Sequence, residues 1–258
     1  VIKEKEVYTM EIDTNKNKSF SFGAIQTAKG YSKKLCFATI FNRFKTKGDD
    51  LSKFVVGLVA HKIHFSKSIN DASEWLNEPV IRNEFDLGEN VPKTFYRVLS
   101  TLGVHQKSIL TMIQDSLHKV YNFQNTDTNI DWSSLVIHGE KAPLAAYGYS
   151  RDHRPDKKQV TLGVSQFREP VCIPIAFSVQ PGNIADKTHF ALTFQRTLNA
   201  LNPGSVIVVD RGANTKENKE LIRKYKHDYL CASTLSAAVD ERIKKLNRTD
   251  ASIVEERD

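Results

Sequence analysis

The sequence predicts an α/β protein with a mainly helical first half, and three observations predict it. Apolar residues recur at helical spacing between residues 51 and 120; Val-, Ile- and Leu-rich strand segments take over after Asp131; and the later segments follow the order β-β-β-α-β-α-β. At 258 residues the chain has room for one large domain or two small ones with a sizeable core. Its 40% hydrophobic and 26% charged residues exclude a collagen-like, low-complexity or disulfide-stapled chain. The longest apolar runs, 54–60 and 205–209, fall far short of the roughly 18 residues that span a bilayer, so no membrane partner is expected. The charged start Val1-Ile2-Lys3-Glu4-Lys5-Glu6 has no apolar secretory segment, which leads us to expect a cytoplasmic chain. Val1 in place of methionine leads us to expect a natural start that lies upstream or has been removed.

From Val7 to Lys47 short strand-like pieces, Phe20-Ser21-Phe22-Gly23 and Leu35-Cys36-Phe37-Ala38, stand between polar turns. Asp50 then offers an N-cap to a helix carrying Leu51, Phe54, Val55, Leu58, Val59 and Ile63. A second helix follows Pro92, with Phe95, Val98, Leu99 and Leu102 on one face and Gly103 as its stop; a third carries Ile109, Met112, Ile113, Leu117 and Val120. The polar stretch Asn125-Thr126-Asp127-Thr128 breaks the helical period. The expected domains are therefore a mainly helical region over 1–127, for which the family resemblance described below implies DNA binding, and an α/β region over 128–258.

Asp131 opens the first strand, with 134–138 as its apolar part; 159–165 and 171–179 follow, joined through Arg168-Glu169-Pro170. Pro181-Gly182-Asn183 is turn chemistry, and Asp186 can cap a helix with Phe190, Phe194, Leu198 and Leu201 on its stripe, ended by Pro203-Gly204. The continuous run Ser205-Val206-Ile207-Val208-Val209 reads as a strand buried on both faces, with Asp210 at its end. Asn214 and Glu217 then form a cap pair for a helix through Leu221, Ile222 and Tyr225, and Tyr229-Leu230-Cys231-Ala232 reads as the last strand.

Cys36, Cys172 and Cys231 lie far apart with no C-x-x-C pair, so buried free thiols are expected rather than a zinc knuckle or a disulfide framework. The net charge of +7 favours an anionic partner, nucleic acid being the commonest, and it divides as +4 up to Ile130 and +3 beyond, so there is no basic arm. Asp210 sits where open α/β sheets place their ligands, at the carboxyl end of a buried strand before Arg211-Gly212; the plain alternative is a helix cap or a pair with Arg211. If the first strand pairs beside the strand ending in Asp210, Asp131 and Asp210 converge, and two carboxylates with open positions suit Mg²⁺ or Mn²⁺. The segment Tyr147-Gly148-Tyr149-Ser150-Arg151-Asp152-His153-Arg154-Pro155-Asp156-Lys157-Lys158 concentrates basic groups and two tyrosines, which can grip phosphates and stack on bases. The plain alternative is a solvated hairpin whose charges neutralise one another.

Asp131-Trp132-Ser133, Gly139-Glu140-Lys141, the block 147–156, Pro181-Gly182-Asn183 with Asp186, and Val209-Asp210-Arg211-Gly212 with Lys216-Glu217-Asn218 together resemble the DDE transposases of bacterial and archaeal insertion sequences. The resemblance is concentrated between Asp131 and Ala232. It implies a ribonuclease-H-like mixed sheet flanked by helices, with two Mg²⁺ or Mn²⁺ ions held by two aspartates and a glutamate. It implies Asp131 as the first acid, Asp210 as the second, and Arg151, His153, Arg154 and Arg211 as contacts to DNA phosphates. Ser133 departs from the expected Thr but keeps the hydroxyl. The implied partners are double-stranded DNA, as terminal inverted repeats and target, and a second copy in a homodimer. The implied reaction is phosphodiester hydrolysis followed by strand transfer.

The third acid is the main departure. Glu241, Glu255 and Glu256 are the only glutamates after the last strand, and Glu241 falls in 237–246, a charged surface helix with Asp240, Arg242, Lys244 and Lys245. The chain is therefore expected to lack its third metal ligand and to stop short of the family's full core. Two further readings stand beside a cleaving transposase: a non-catalytic DNA-binding remnant, and an unrelated metal-dependent phosphatase or nuclease.

Overall fold

A computed structural model of the chain describes residues 20–245 apart from residues 46, 47, 49, 66, 90, 91, 140, 152, 170 and 233–235. Glu140, Asp152, Pro170, Leu246, Glu255 and Glu256 of the sequence reading thus lie outside the described residues. The chain divides into two units, 1–109 and 110–258. No helix among the described residues is long and apolar enough to cross a membrane.

The first unit holds six helices among the described residues: α1 (Gly23–Lys34), α2 (Phe37–Asn42), α3 (Leu51–His64), α4 (Ile69–Asn77), α5 (Pro79–Glu84) and α6 (Pro92–Val104). The Asp50 carboxylate starts α3 by accepting the backbone N–H groups of Ser52 and Lys53 at 3.0 and 3.2 Å, two amides that a helix leaves without internal partners. α3 is the centre of this unit, burying Leu51, Phe54, Val55, Val56, Leu58 and Ala60, with α1, α2, α4 and α6 packed against it. Gly57 admits α4 closely, since a Cβ there would stand 2.7 Å from a Leu76 methyl.

Neither strand-like piece expected before Lys47 forms a strand: residues 20–22 lead into a helix, and Leu35-Cys36 is a turn between two helices. Gly23 opens α1 and Phe37 opens α2, with Cys36 between them in the left-handed region at φ 57°. Each short aromatic run has some strand propensity, but burial decides: Ile25 and Ala28 share one face of α1, and Ile40 and Phe41 bury α2. α4 and α5 had no place in the sequence reading; α4 is started by Ser68, whose Oγ accepts the Asp71 amide at 3.2 Å, and α5 by Pro79 in its first turn.

The helix α7 (Gln106–Tyr121) begins before residue 110 and continues into the second unit, where β1 (Thr128–Val136), β2 (Gln159–Phe167), β3 (Pro174–Pro181), α8 (Asp186–Thr197), β4 (Val206–Val209), α9 (Lys216–Lys224), β5 (Asp228–Cys231) and α10 (Ala237–Lys245) follow. The sheet order is β3-β2-β1-β4-β5. β1, β2 and β3 are antiparallel neighbours, whereas β4 runs parallel to both β1 and β5. This is a mixed five-stranded sheet flanked by helices, the arrangement that the ribonuclease-H-like expectation requires. β1 starts at Thr128, so Asp131 lies inside the strand rather than opening it; Thr128 is a buried strand position whose hydroxyl donates to the Thr126 carbonyl. Buried free thiols are not found either: Cys36 and Cys172 are exposed and Cys231 is half-buried, because the first two sit in connections, after α1 and after β2.

The core follows the alternation of β1, where Ile130 and Trp132 point inward and Asp131 and Ser133 outward. Those two pack with Phe190 and Phe194 of α8, Ile207 and Val209 of β4, Ala213 and Ile222. α8 also presents a polar edge to β2 and β3. His189 lies between the hydroxyls of Thr161 (3.1 Å) and Ser178 (2.8 Å), Ser178 reaches Thr193 at 2.7 Å, and Ser165 meets Thr197 at 2.7 Å. At the centre Gly163 leaves room for these groups: a Cβ would stand 2.4 Å from Thr193 Oγ1 and 2.8 Å from Trp132 Nε1.

Gly163→Ala is expected to lower unfolding free energy by about 1–3 kcal/mol, the usual cost of overpacking, in urea denaturation. Burial holds the His189 pKa down to about 4, against 6.5 for the free side chain. Below 6.5 the unfolded chain takes up a proton that the folded chain refuses, so this contribution is complete above 6.5 and is lost as the pH falls towards 4. Denaturation midpoints measured over that range should fall less steeply in His189→Gln than in the natural chain.

Candidate active site

The parallel pairing of β1 with β4 runs Thr128 beside Ile207, Asn129 beside Val208 and Ile130 beside Val209. The next residue on each strand is a carboxylate, Asp131 and Asp210, and Asp210 continues extended at φ −73°, ψ 177°. Neighbouring strands lie about 4.8 Å apart, so the register places the two acids side by side at the end of β4. The Asp131 carboxylate accepts the Trp132 N–H at 2.7 Å and is 79% exposed. Asp210 caps the short 3₁₀ turn Arg211–Ala213 by accepting the Ala213 N–H at 3.3 Å. The cap reading of Asp210 and the converging-acid reading thus both describe its position.

A third carboxylate joins them, and the sequence reading had given it another task. Asp186 was expected to cap α8; the N-cap is Ala185, no side chain caps that helix end, and the Asp186 carboxylate turns to the Arg151 guanidinium at 2.5 Å. Gly212 lies against both acids: a Cβ there would stand 3.1 Å from Asp186 Oδ2 and 3.3 Å from each Asp210 oxygen. Burial, with the like charges of Asp210 and Asp131, raises the Asp186 pKa above its ordinary value, and Arg151 opposes that rise. Arg151 also reaches Asp131, at 4.0 Å.

Backbone contacts hold Arg151 there. Gly148 lies so close to the Gly182 carbonyl that a Cβ would stand 1.9 Å from its oxygen, and Gly182 is packed equally tightly on the Gln159 and Ala146 carbonyls. The buried Gln159 amide donates to the carbonyls of Tyr149 (2.6 Å) and Gly182 (3.3 Å), and the Arg151 N–H donates to Ser134 Oγ at 3.1 Å. Ser133, Tyr149, Arg151, Asn183, Asp186 and Lys187 line a cleft of about 340 Å³, with Tyr149 85% exposed.

His153, Arg154 and Arg211 are exposed. Arg154 forks the Asp156 carboxylate with two bonds of 2.9 Å, His153 is in the left-handed region at φ 54°, and Arg211 opens the 3₁₀ turn after Asp210. The cap of α9 is Thr215, whose Oγ accepts the Asn218 N–H at 3.2 Å, rather than Asn214 one residue earlier; the Asn214 amide is bonded to the Ala232 carbonyl. Glu241 is an exposed residue of α10, a helix carrying the Lys244–Asp240 ion pair. The donors at the Asp131–Asp210 pair are all oxygen, which is the chemistry of a hard divalent cation. Among the described residues no group of three or more His, Cys, Asp or Glu side chains is arranged to hold a metal.

No family model matches the chain, and no curated protein does. Among solved structures it is similar to a piggyBac transposase synaptic complex with hairpin DNA, at 11% identity and a TM-score of 0.43 over 87% of this chain and 53% of that one. It is also similar to a Mos1 transposase paired-end complex with the left transposon end, at 10% identity and a TM-score of 0.30 over 72% of this chain and 60% of that one. The chain thus spans between about half and three-fifths of those chains.

Gly148→Ala must push the segment carrying Arg151 away from the turn that carries Asp186. It is expected to cost about 1–3 kcal/mol of stability, while Gly139→Ala, with open space around its Cβ, leaves the melting curve unchanged.

Proposed function

We propose that the chain acts on DNA as a metal-dependent transposase of the insertion-sequence DDE kind, cleaving phosphodiester bonds and transferring strands at element ends. The observation that carries this reading is the β1–β4 register, which sets Asp131 beside Asp210 on adjacent parallel strands. The sequence block 147–156 supports it, because it delivers Arg151 to the same place.

Asp131 and Asp210 act on Asp186 as like charges, so three carboxylates gather at the end of β4, and that concentration of negative charge repels a phosphate until a cation offsets it. Asp131 and Asp210 would hold Mg²⁺ or Mn²⁺, two ions in a complete site, which lower the pKa of bound water and stabilise the leaving oxygen. The carboxylates fix where the reacting phosphate sits. Arg151, His153, Arg154 and Arg211 would contact DNA phosphates, which position the duplex without reading its sequence. Double-stranded DNA, as terminal inverted repeats and target, is the proposed partner, with a homodimer pairing two ends in the cytoplasm.

One observation favours a second reading, a DNA-binding chain of the same kind that performs no cleavage: Glu241 is an exposed residue of α10, a charged helix that carries the Lys244–Asp240 ion pair. Nicking of supercoiled plasmid with Mn²⁺ separates the two. On the first reading the chain nicks, and Asp131→Asn and Asp210→Asn each return nicking to background while mobility-shift binding stays intact, because losing a carboxylate lessens repulsion of DNA. Nicking that survives either substitution sinks the catalytic reading; binding without any nicking selects the second.

A further inference from the structure

Arg151 has two carboxylates in range, and the site works differently according to which one it takes. Its backbone N–H is tied to Ser134 Oγ and its segment is held by Gly148 against Gly182, so the backbone fixes where the guanidinium can reach. One terminal nitrogen is 2.5 Å from Asp186 Oδ2 and the other 4.0 Å from Asp131 Oδ1. Asp186 is 23% exposed and Asp131 79% exposed, so the tight pair forms with the more buried carboxylate, where screening by water is weaker. Asp186 stands in the first turn of α8 yet caps nothing there, and its carboxylate is committed to Arg151.

We propose that Asp186 is a positioning residue: by holding the Arg151 guanidinium it keeps Asp131 free to take a divalent cation beside Asp210. This rests on the reading of Asp131 and Asp210 as cation ligands. Without the Asp186 charge, Arg151 closes the gap to Asp131 and forms the ion pair there. A cation must then displace a guanidinium before it can bind. Asp186 thus acts through Arg151 and not by ligating the cation.

The test is a double-mutant cycle on the 258-residue chain, reading Mn²⁺ affinity from the free-ion electron paramagnetic resonance signal. Asp186→Asn should weaken Mn²⁺ binding about five- to tenfold when Arg151 is present, and by less than about twofold in the Arg151→Gln background. An equal loss in both backgrounds overturns the proposal, since Asp186 would then be a ligand or act by charge alone; no loss beside Arg151 overturns it too. Should Asp186→Asn melt early, Asp186→Glu, which keeps a carboxylate for Arg151, must retain the natural affinity, and a folded Glu variant that loses it also overturns the proposal. If Mn²⁺ binding is indifferent to Asp131→Asn and Asp210→Asn, the site reading itself fails and takes this inference with it; a site that passes that control and ignores Asp186 loses the inference alone.

Discussion

The parallel pairing of β1 with β4 is the constraint on which the second unit depends. Parallel neighbours cannot be joined by a tight turn, so the chain between them must leave the sheet and return; here it runs through β2, β3 and α8 before β4 arrives. The hydrophobic contact that brings it back is the packing of Trp132 and Ile130 with Phe190, Phe194, Ile207 and Val209. Because that same register sets Ile130 opposite Val209, it sets the following residues, Asp131 and Asp210, opposite each other as well. Core packing and site geometry are one decision: a slip of one residue would turn Trp132 out to solvent and Asp131 into the core.

The surroundings of the acids are built by contacts that side-chain chemistry alone does not reveal. Gly148, Gly182 and Gly212 permit close approaches of backbone to backbone and of backbone to carboxylate, which bring the Arg151 segment and the start of α8 to the end of β4. α8 serves both sides of this arrangement. Its aromatic edge faces β1 and β4, its hydroxyl and imidazole edge faces β2 and β3, and its first residue, Asp186, enters the cleft. A buried His189 kept neutral between two hydroxyls is compatible with that packing because both ring nitrogens are bonded.

Much of the second unit was legible in the sequence for physical reasons. Strands of Val and Ile bounded by polar turns, and a helix with Phe190 and Phe194 four apart, carry period and boundary together, and all five strands and their order with α8 and α9 follow from them. The first unit was less legible. α3 announced itself by Asp50 and an apolar period, whereas α1 and α2 bury only Ile25, Ala28, Ile40 and Phe41 among polar residues, too few to outweigh the strand propensity of neighbouring aromatics. Ser68 and Pro79 mark the starts of α4 and α5, a signal that the apolar pattern alone passes over.

The sequence by itself determined which side chains can carry chemistry: Asp131 in a β-rich segment, Asp210 after a continuous apolar strand, and Arg151 in a polar connection. From β1 to β5 it also determined the order of strands and helices, because apolar period and turn chemistry are local. Only the tertiary structure decided that β1 lies between β2 and β4, and therefore that acids 79 positions apart stand side by side. It alone decided that Asp186 turns from helix capping to Arg151, since a cap and an ion pair use the same carboxylate and only the folded surroundings show which partner is within reach.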